Sequence, residues 1–183
     1  MARSTQTSGH EHPDTAQLTD RNQQQTHCPL HQSPHMRILH TSDWHLGQHF
    51  MGKSRQVEHQ ALLDWLLAQV QAHAVDAVLI AGDIFDTGAP PSYARELYSD
   101  MVAKLHGAGV ALLLLGGNHD SVATLEESRS LLAVLNTHVV AAVNAPAQHV
   151  LVLPQRDGQA GVIVCALPFV LPLVYFMMKR LSK

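Results

Sequence analysis

Runs of apolar residues alternate with stretches of helical period along the chain from Met36 onward. A strand is predicted over 37–41, and a helix over 55–73 because its apolar residues recur at three- and four-residue spacing. The uncharged run 78–81 predicts a second strand, buried on both faces of a parallel sheet. The apolar stripe of the helix would pack on that sheet, and it consists of Leu63, Leu66, Leu67 and Val70.

The same alternation continues beyond the second strand. Ser92 is predicted to cap a second helix, and a third strand is predicted over 111–115. Thr124 and Glu127 match a capping box for a third helix that runs to about Leu135. Three shorter strands follow, of which the last two flank a turn and are predicted to form a hairpin: 139–143, 149–153 and 162–167.

This order of elements defines the expected fold class. Strand-helix-strand order with short connections predicts an α/β fold with a mostly parallel sheet, right-handed crossovers and three flanking helices. The 183 residues, 46% of them apolar, suffice for one compact domain. A net charge of -3 gives no basic signature of a nucleic-acid partner. Two distant cysteines without a secretory signal favour a reducing cytoplasm over a disulfide framework.

Both ends of the chain differ from this pattern. Residues 1–35 are rich in Thr, Gln, Ser, His and Pro without an apolar period, which predicts a disordered extension. Residues 170–183 form an atypical apolar and basic tail. The stretch 162–178 carries no charge, but its two prolines, Pro168 and Pro172, and the strand predicted at its start argue against a membrane span.

Three predicted strands end in clusters of residues that can bind metal ions. The first strand is followed by Asp43 and His45, the second by Asp83 and Asp86, and the third by the run 118–120. Because ligands of α/β sheets bind at the carboxyl ends of the strands, these side chains are expected to meet at one edge. Carboxylate, imidazole and amide oxygen together suit divalent cations such as Mn²⁺, Fe²⁺ or Zn²⁺.

The spacing predicts a role for each residue. In an extended chain Asp43 and His45 would point to the same side and share one ion, Asp83 would bridge two ions, and Asn118 would bind the second. His119 could then protonate a departing oxygen. Either Asp86 or Asp120 could hold its imidazole by accepting the other ring N–H, and the sequence does not choose between the two.

The motifs DxH, GDxxD and GNHD, at 43–45, 82–86 and 117–120, resemble those of calcineurin-like metallophosphoesterases. More closely, the stretches MRILHTSDWHLGQ, KSRQVEHQALLDWLL, GDIFDTGAPPSYARELY and GNHDSVATLEESR are similar to the SbcD family of bacterial nuclease subunits over 36–169. The resemblance implies the N-terminal part of a nuclease domain, with an incomplete four-layer αββα sandwich.

The resemblance also implies function. In that family two divalent ions, Mn²⁺ by expectation, support 3′ to 5′ exonuclease cleavage of duplex DNA and endonuclease cleavage of hairpins or single strands, in DNA recombination, replication and repair. An SbcC-type ATPase, a DNA substrate and a homodimer of the nuclease subunit are the implied partners. Carried over by position, Asp43, His45, Asp83 and Asn118 would bind the metals, and His119 would donate a proton.

The chain also departs from the family pattern. A Gly-His and a Gly-His-x-His motif are expected after Asp120, and neither occurs there. By that count the first metal keeps three of four family ligands and the second keeps two, so the second ion is expected to bind weakly. A truncated or frame-shifted reading frame would explain the loss. Two alternatives remain open: a non-catalytic fragment that binds a partner or a single metal, and a phosphoesterase acting on a small substrate.

Overall fold

A computed structural model describes residues 35–170 of the chain. The helices and strands within this range alternate as the pattern of apolar residues predicts. A 3₁₀ turn at Pro146–His149 precedes the last two strands. In chain order the elements are β1 (Ile38–Thr41), β2 (His49–Phe50), β3 (Lys53–Ser54), α1 (Gln56–Ala72), β4 (Ala77–Ala81), α2 (Ser92–Gly107), β5 (Ala111–Leu115), α3 (Val122–Glu126), α4 (Arg129–Val134), β6 (Thr137–Val140), β7 (Val150–Pro154) and β8 (Ala160–Cys165).

The central sheet has four parallel strands in the order β1-β4-β5-β6. Ala77 of β4 lies opposite Ile38 on one side and Ala111 on the other, and Leu112 of β5 lies opposite Thr137. Each strand is joined to the next by a helical crossover, as parallel strands require. The predicted α/β class with a mostly parallel sheet is confirmed.

The two faces of this sheet pack against different layers. Alternate residues of the strands, such as Val78 and Leu114, join the apolar stripes of the helices in one core. The neighbouring residues, such as Leu113, point the other way and pack against Leu153 of the β7-β8 hairpin. Helices, parallel sheet and antiparallel hairpin therefore form three successive layers, which are three of the four in the expected sandwich.

The caps of the second and third helices differ from the predictions. Pro91, extended at φ −64° and ψ 160°, is the N-cap of α2, so Ser92 is its first helical residue. The third helix starts earlier than the capping box suggests, because the Ser121 hydroxyl accepts the hydrogen bond of the Thr124 N–H. The Thr124 hydroxyl instead donates to the carbonyl oxygen of Gly88.

The predicted third helix is also divided in two. The helical run stops at Glu126 and resumes at Arg129, so within residues 35–170 four helices flank the sheet instead of three. The β7-β8 hairpin is confirmed, with Val150 paired to Cys165 across the turn. Sequence reasoning missed the short β2-β3 hairpin, whose turn residues Met51 and Gly52 both have positive φ.

The predicted disordered extension falls outside the described residues except for His35, and the tail falls outside them except for Val170. The domain boundaries drawn at 35 and 169 therefore stay predictions. Residues 162–165 belong to strand β8. No helix within residues 35–170 is long and apolar enough to cross a membrane.

Candidate metal centre

The loops after β1, β4 and β5 meet at the carboxyl edge of the sheet. The first two continue side by side beyond their strands: the main-chain N–H of His45 donates to the Asp83 carbonyl at 2.9 Å, and that of Leu46 to the Ile84 carbonyl at 2.9 Å. The main-chain N–H of His119 in the third loop donates to the Asp83 carboxylate at 3.0 Å. Hydrogen bonds from main-chain N–H groups thus hold the first and third loops against Asp83 in the second.

The backbone of the first motif is not extended, which corrects the prediction for Asp43 and His45. Both residues adopt left-handed conformations, with φ of 57° and 46°, and Asp83 does the same at 51°. The left-handed turns let the loop stay paired with the β4 loop while Trp44 enters the core, where its indole N–H donates to the Thr41 hydroxyl. The two ligand side chains lie near each other through this local twist, not through strand alternation.

One group of three side chains surrounds a possible cation position. His45 Nε2 lies 4.0 Å from Asp43 Oδ1 and 4.0 Å from Asp83 Oδ2. Two atoms bound to one ion at about 2.1 Å each can be at most about 4.2 Å apart, so these distances permit a shared ion. Asp43 is exposed and the other two are half-buried, which leaves the position open to solvent on one side.

A second group shares His45 and adds Asp86 and His119. His45 Nδ1 lies 3.3 Å from Asp86 Oδ1, but within residues 35–170 this buried nitrogen makes no hydrogen bond. The Asp86 carboxylate also accepts from the Gln48 side chain at 3.3 Å. A carboxylate beside Nδ1 favours a proton there and leaves Nε2 as the metal-binding nitrogen.

The His119 ring is held by main chain and not by a carboxylate. Its Nδ1 lies 2.9 Å from the carbonyl oxygen of Asp86, and its edge faces the His45 ring with centroids 4.8 Å apart. The hydrogen bond to that carbonyl raises the pKa of His119, and the nearby carboxylates of Asp83, Asp86 and Asp120 add to the effect against a partial loss of hydration. The cationic ring, with its second proton on Nε2, therefore persists to higher pH than in a free imidazole.

Asp120 does not perform the role that its position in the sequence suggested. Its carboxylate accepts three main-chain hydrogen bonds, from Phe85 at 2.9 Å, Gly117 at 2.9 Å and Ile84 at 3.2 Å. Asp86 and Asp120 were the two residues considered for orienting the His119 ring. Asp86 does so through its main-chain carbonyl oxygen, whereas the Asp120 carboxylate makes no hydrogen bond to that ring.

Asn118 follows Gly117 and precedes His119, both of which contact Asp83. Its exposed side chain lines a cavity of about 340 Å³ between the ends of β5 and β6, together with Ala141 and Phe169. The structure therefore gathers Asp43, His45 and Asp83 into one group and leaves the role of Asn118 as a ligand a prediction.

Gln48 was missed from the sequence, and the packing role of Gly117, a residue of the GNHD motif, was not predicted. Gln48 connects Asp86 to the first helix, because its side-chain oxygen accepts from the Arg55 guanidinium at 2.8 Å. Gly117 allows the loops to touch, since a Cβ on it would lie 2.1 Å from Asp83 Oδ1. The repeated glycine before Asn118 was a signal for such a close approach.

The residues present fit a divalent cation. Two carboxylates and an imidazole form a hard to borderline donor set, and the imidazole nitrogen of His45 lies 4.0 Å from each of the Asp43 and Asp83 carboxylates.

Comparison with known families agrees with this geometry. The family model described as calcineurin-like phosphoesterase matches residues 36–166, and the chain belongs to this family. The family uses divalent metal ions, and the two groups described above contain residues able to bind them.

Individual relatives narrow the comparison from the family to one kind of nuclease subunit. The chain is 59% identical over 137 residues to the SbcD subunit of the nuclease SbcCD from Escherichia coli strain K12, a match that covers 75% of this chain and 34% of that protein. The SbcD subunit of Rhodobacter capsulatus is 39% identical over 142 residues, covering 73% and 35%, and that of Bacillus subtilis 38% over 106 residues, covering 57% and 27%. The chain thus spans about a third of the length of these curated relatives.

Proposed function

We propose that the chain is the N-terminal part of a metal-dependent DNA nuclease subunit that hydrolyses phosphodiester bonds. The observation that carries the proposal is the group formed by Asp43, His45 and Asp83 at the edge of the sheet, in a chain 59% identical to an E. coli nuclease subunit. The expected reactions are 3′ to 5′ cleavage of duplex DNA and endonuclease cleavage of hairpins or single strands.

The proposed site holds two divalent ions, Mn²⁺ by preference. Asp43 and His45 would hold the first, Asn118 would hold the second, and Asp83 would contribute to both. Metal ions at such a site lower the pKa of a bound water and neutralise charge on the phosphate. The left-handed backbone at Asp43, His45 and Asp83 supports this assignment, because strained residues of this kind concentrate at functional sites.

His119 is the proposed proton donor to the departing oxygen. Its Nδ1 is engaged by the Asp86 carbonyl, so Nε2 carries the proton that can be transferred. The direction of its pKa shift supports an acid, since the raised pKa keeps the ring protonated to higher pH. Asp86 then has two tasks: its carbonyl orients His119, and its carboxylate stands beside His45.

The proposed partners are DNA and an SbcC-type ATPase, in keeping with the name of the nuclease to which the relatives belong. A homodimer of the nuclease subunit is proposed as well. The exposed apolar side chains of Leu131 and Val134 on α4 support it, since they offer surface that a second copy could cover. The cytoplasm is the proposed location.

Mn²⁺-dependent degradation of linear duplex and hairpin DNA tests the function. The wild-type chain is expected to cleave, Asp83→Ala to lose cleavage, and His119→Ala to be slower by about 10²- to 10⁴-fold. Asp64→Ala, an exposed carboxylate on α1, is the control and should match wild type. Equal degradation by wild type and Asp83→Ala would attribute the activity to a contaminant.

A second candidate is a non-catalytic fragment that binds a partner or one metal. The observation in its favour is that the chain spans about a third of its relatives and has no Gly-His motif after Asp120. Supplying the remaining two thirds of the E. coli subunit in trans separates the candidates. Restored cleavage that depends on Asp83 favours the nuclease, and persistent inactivity with intact Mn²⁺ binding favours the fragment.

A further inference from the structure

The loops that carry Asp83 and Asn118 are joined by one side chain. Both oxygens of the Asp120 carboxylate are used: Oδ1 accepts from the Phe85 N–H at 2.9 Å, and Oδ2 accepts from Ile84 at 3.2 Å and Gly117 at 2.9 Å. Ile84 and Phe85 directly follow Asp83, and Gly117 directly precedes Asn118. The donors are thus the chain neighbours of two proposed metal ligands.

Two of these three N–H groups belong to buried residues. Ile84 is 0% exposed and Phe85 2% exposed. A buried main-chain donor without an acceptor is strongly unfavourable, so the carboxylate decides where this loop can lie. Hydrogen bonds to an ionised acceptor are also shorter and stronger than neutral ones.

The two loops approach so closely that small changes in their separation matter. A Cβ on Gly117 would lie 2.2 Å from the main-chain nitrogen of Asp83, and a Cβ on Gly82 would lie 2.9 Å from the Gly117 Cα. The Asp83 carboxylate is oriented across the same gap by the His119 N–H. Any widening of the gap would therefore turn Asp83 away from His45.

We propose that Asp120 is a positioning residue that clamps the β4 loop to the β5 loop and so sets the geometry of the metal pocket, without binding metal or substrate. The inference rests on the proposed metal site and assigns to Asp120 a different task from orienting His119. An amide cannot replace the carboxylate, because Asn offers one acceptor oxygen and would turn its NH₂ toward at least one of the three donors.

The test compares Asp120→Asn with Asp76→Asn in the full chain. Asp76 is a matched control, since its carboxylate also accepts from two main-chain N–H groups, those of Arg37 at 2.7 Å and Arg156 at 3.4 Å, at the opposite end of the sheet. Mn²⁺ affinity is measured by titration calorimetry and folding by thermal unfolding. Asp120→Asn should weaken Mn²⁺ binding roughly 10- to 100-fold, while Asp76→Asn should bind like wild type. Asp120→Glu, which keeps both oxygens, should recover part of the affinity.

Equal Mn²⁺ affinity of wild type and folded Asp120→Asn would overturn the inference alone, whereas absence of Mn²⁺ binding by the wild-type chain would overturn the proposed metal site. If Asp120→Asn fails to fold, amide hydrogen exchange of the wild-type chain decides. The Ile84, Phe85 and Gly117 amides should then be protected like those of the central strands. Exchange as fast as in an open loop would show that the clamp does not exist.

Discussion

The closest approach in the site involves Gly117, whose missing side chain lets the β5 loop touch Asp83. Gly117→Ala should destabilise the fold by about 1 to 3 kcal/mol, because the added Cβ has to force apart two main-chain segments. Gly107→Ala is the control, since that glycine ends α2 with no atom within 4 Å of the added Cβ. It should be neutral or stabilise by up to about 1 kcal/mol. Urea unfolding of both variants measures the difference, and equal stability would contradict the contact.

A buried histidine near the site should contribute to the change of stability with pH. His59 on α1 is 4% exposed, its Nδ1 has no hydrogen-bond partner within residues 35–170, and burial followed by the Arg55 charge lowers its pKa. The unfolded chain, with His59 near its ordinary pKa of about 6.5, then binds more protons than the folded chain below that pH. Stability should therefore fall as the pH drops below about 6.5.

His59→Leu should reduce this loss, because it removes the group that the folded protein keeps neutral. Urea unfolding at pH 7.5 and pH 5.5 measures the effect in wild type and variant. His138, whose pKa burial also lowers, should leave a smaller remaining slope in the variant. An unchanged difference between the two pH values would rule out His59 as its source.

At the scale of single residues, the sequence predicts chemistry better than orientation. Asp43, His45 and Asp83 were recognisable as a group because three strands end in polar residues. The group that orients the His119 ring could not be recognised in the same way, because it is the carbonyl oxygen of Asp86. Every residue has a main-chain carbonyl, so the residue type does not show which one accepts the bond. The same holds for the left-handed backbone at His45, which depends on pairing between two loops.

Among the elements, the β7-β8 hairpin shows how the alternation of buried and exposed side chains along a strand determines the cost of a substitution. Leu153 is 0% exposed against the central sheet, while its neighbour Val152 is 55% exposed. Leu153→Ala should cost about 2 to 5 kcal/mol by leaving a cavity between the layers, and Val152→Ala should stay within about 0.5 kcal/mol. Thermal and urea unfolding of the pair checks the assignment of faces. Similar costs for both variants would mean that the hairpin does not pack on the sheet as described.

The longer strands and helices were predictable, whereas the caps of α2 and α3 and the short β2-β3 hairpin were not. The stripe at Leu63, Leu66 and Val70 is enough to define α1, because burial of one face requires that spacing. Helix starts depend on which of several nearby hydroxyls turns inward. Ser121 and Thr124 are equally suited by residue type to cap α3. The Thr124 hydroxyl donates to the carbonyl oxygen of Gly88 instead, which leaves Ser121 as the cap.

For the whole molecule, the negative charge at the carboxyl edge of the sheet should make the stability of the fold depend on a bound metal ion. Asp43, Asp83 and Asp86 converge there, in the two groups of side chains that could hold a metal ion. Mn²⁺ at about 100 times its dissociation constant should stabilise the chain by about 2.7 kcal/mol and raise Tm by about 5 to 10 °C.

Differential scanning calorimetry with and without Mn²⁺ measures this shift. Asp83→Ala should lose it, whereas Asp64→Asn on the exposed face of α1 should keep it. A shift of equal size in Asp83→Ala would place the bound ion elsewhere.

The left-handed residues of the site carry a consequence for engineering. Glycine adopts such a backbone without the cost of about 1 to 2 kcal/mol that other residues incur, so glycine at positions 43 or 45 would relieve it. Each replacement would also delete a proposed ligand, whereas glycine at 83 would in addition remove the acceptor of the His119 N–H. A library screened for heat resistance alone should therefore enrich glycine at positions 43 and 45, and its most stable members would bind a cation most weakly.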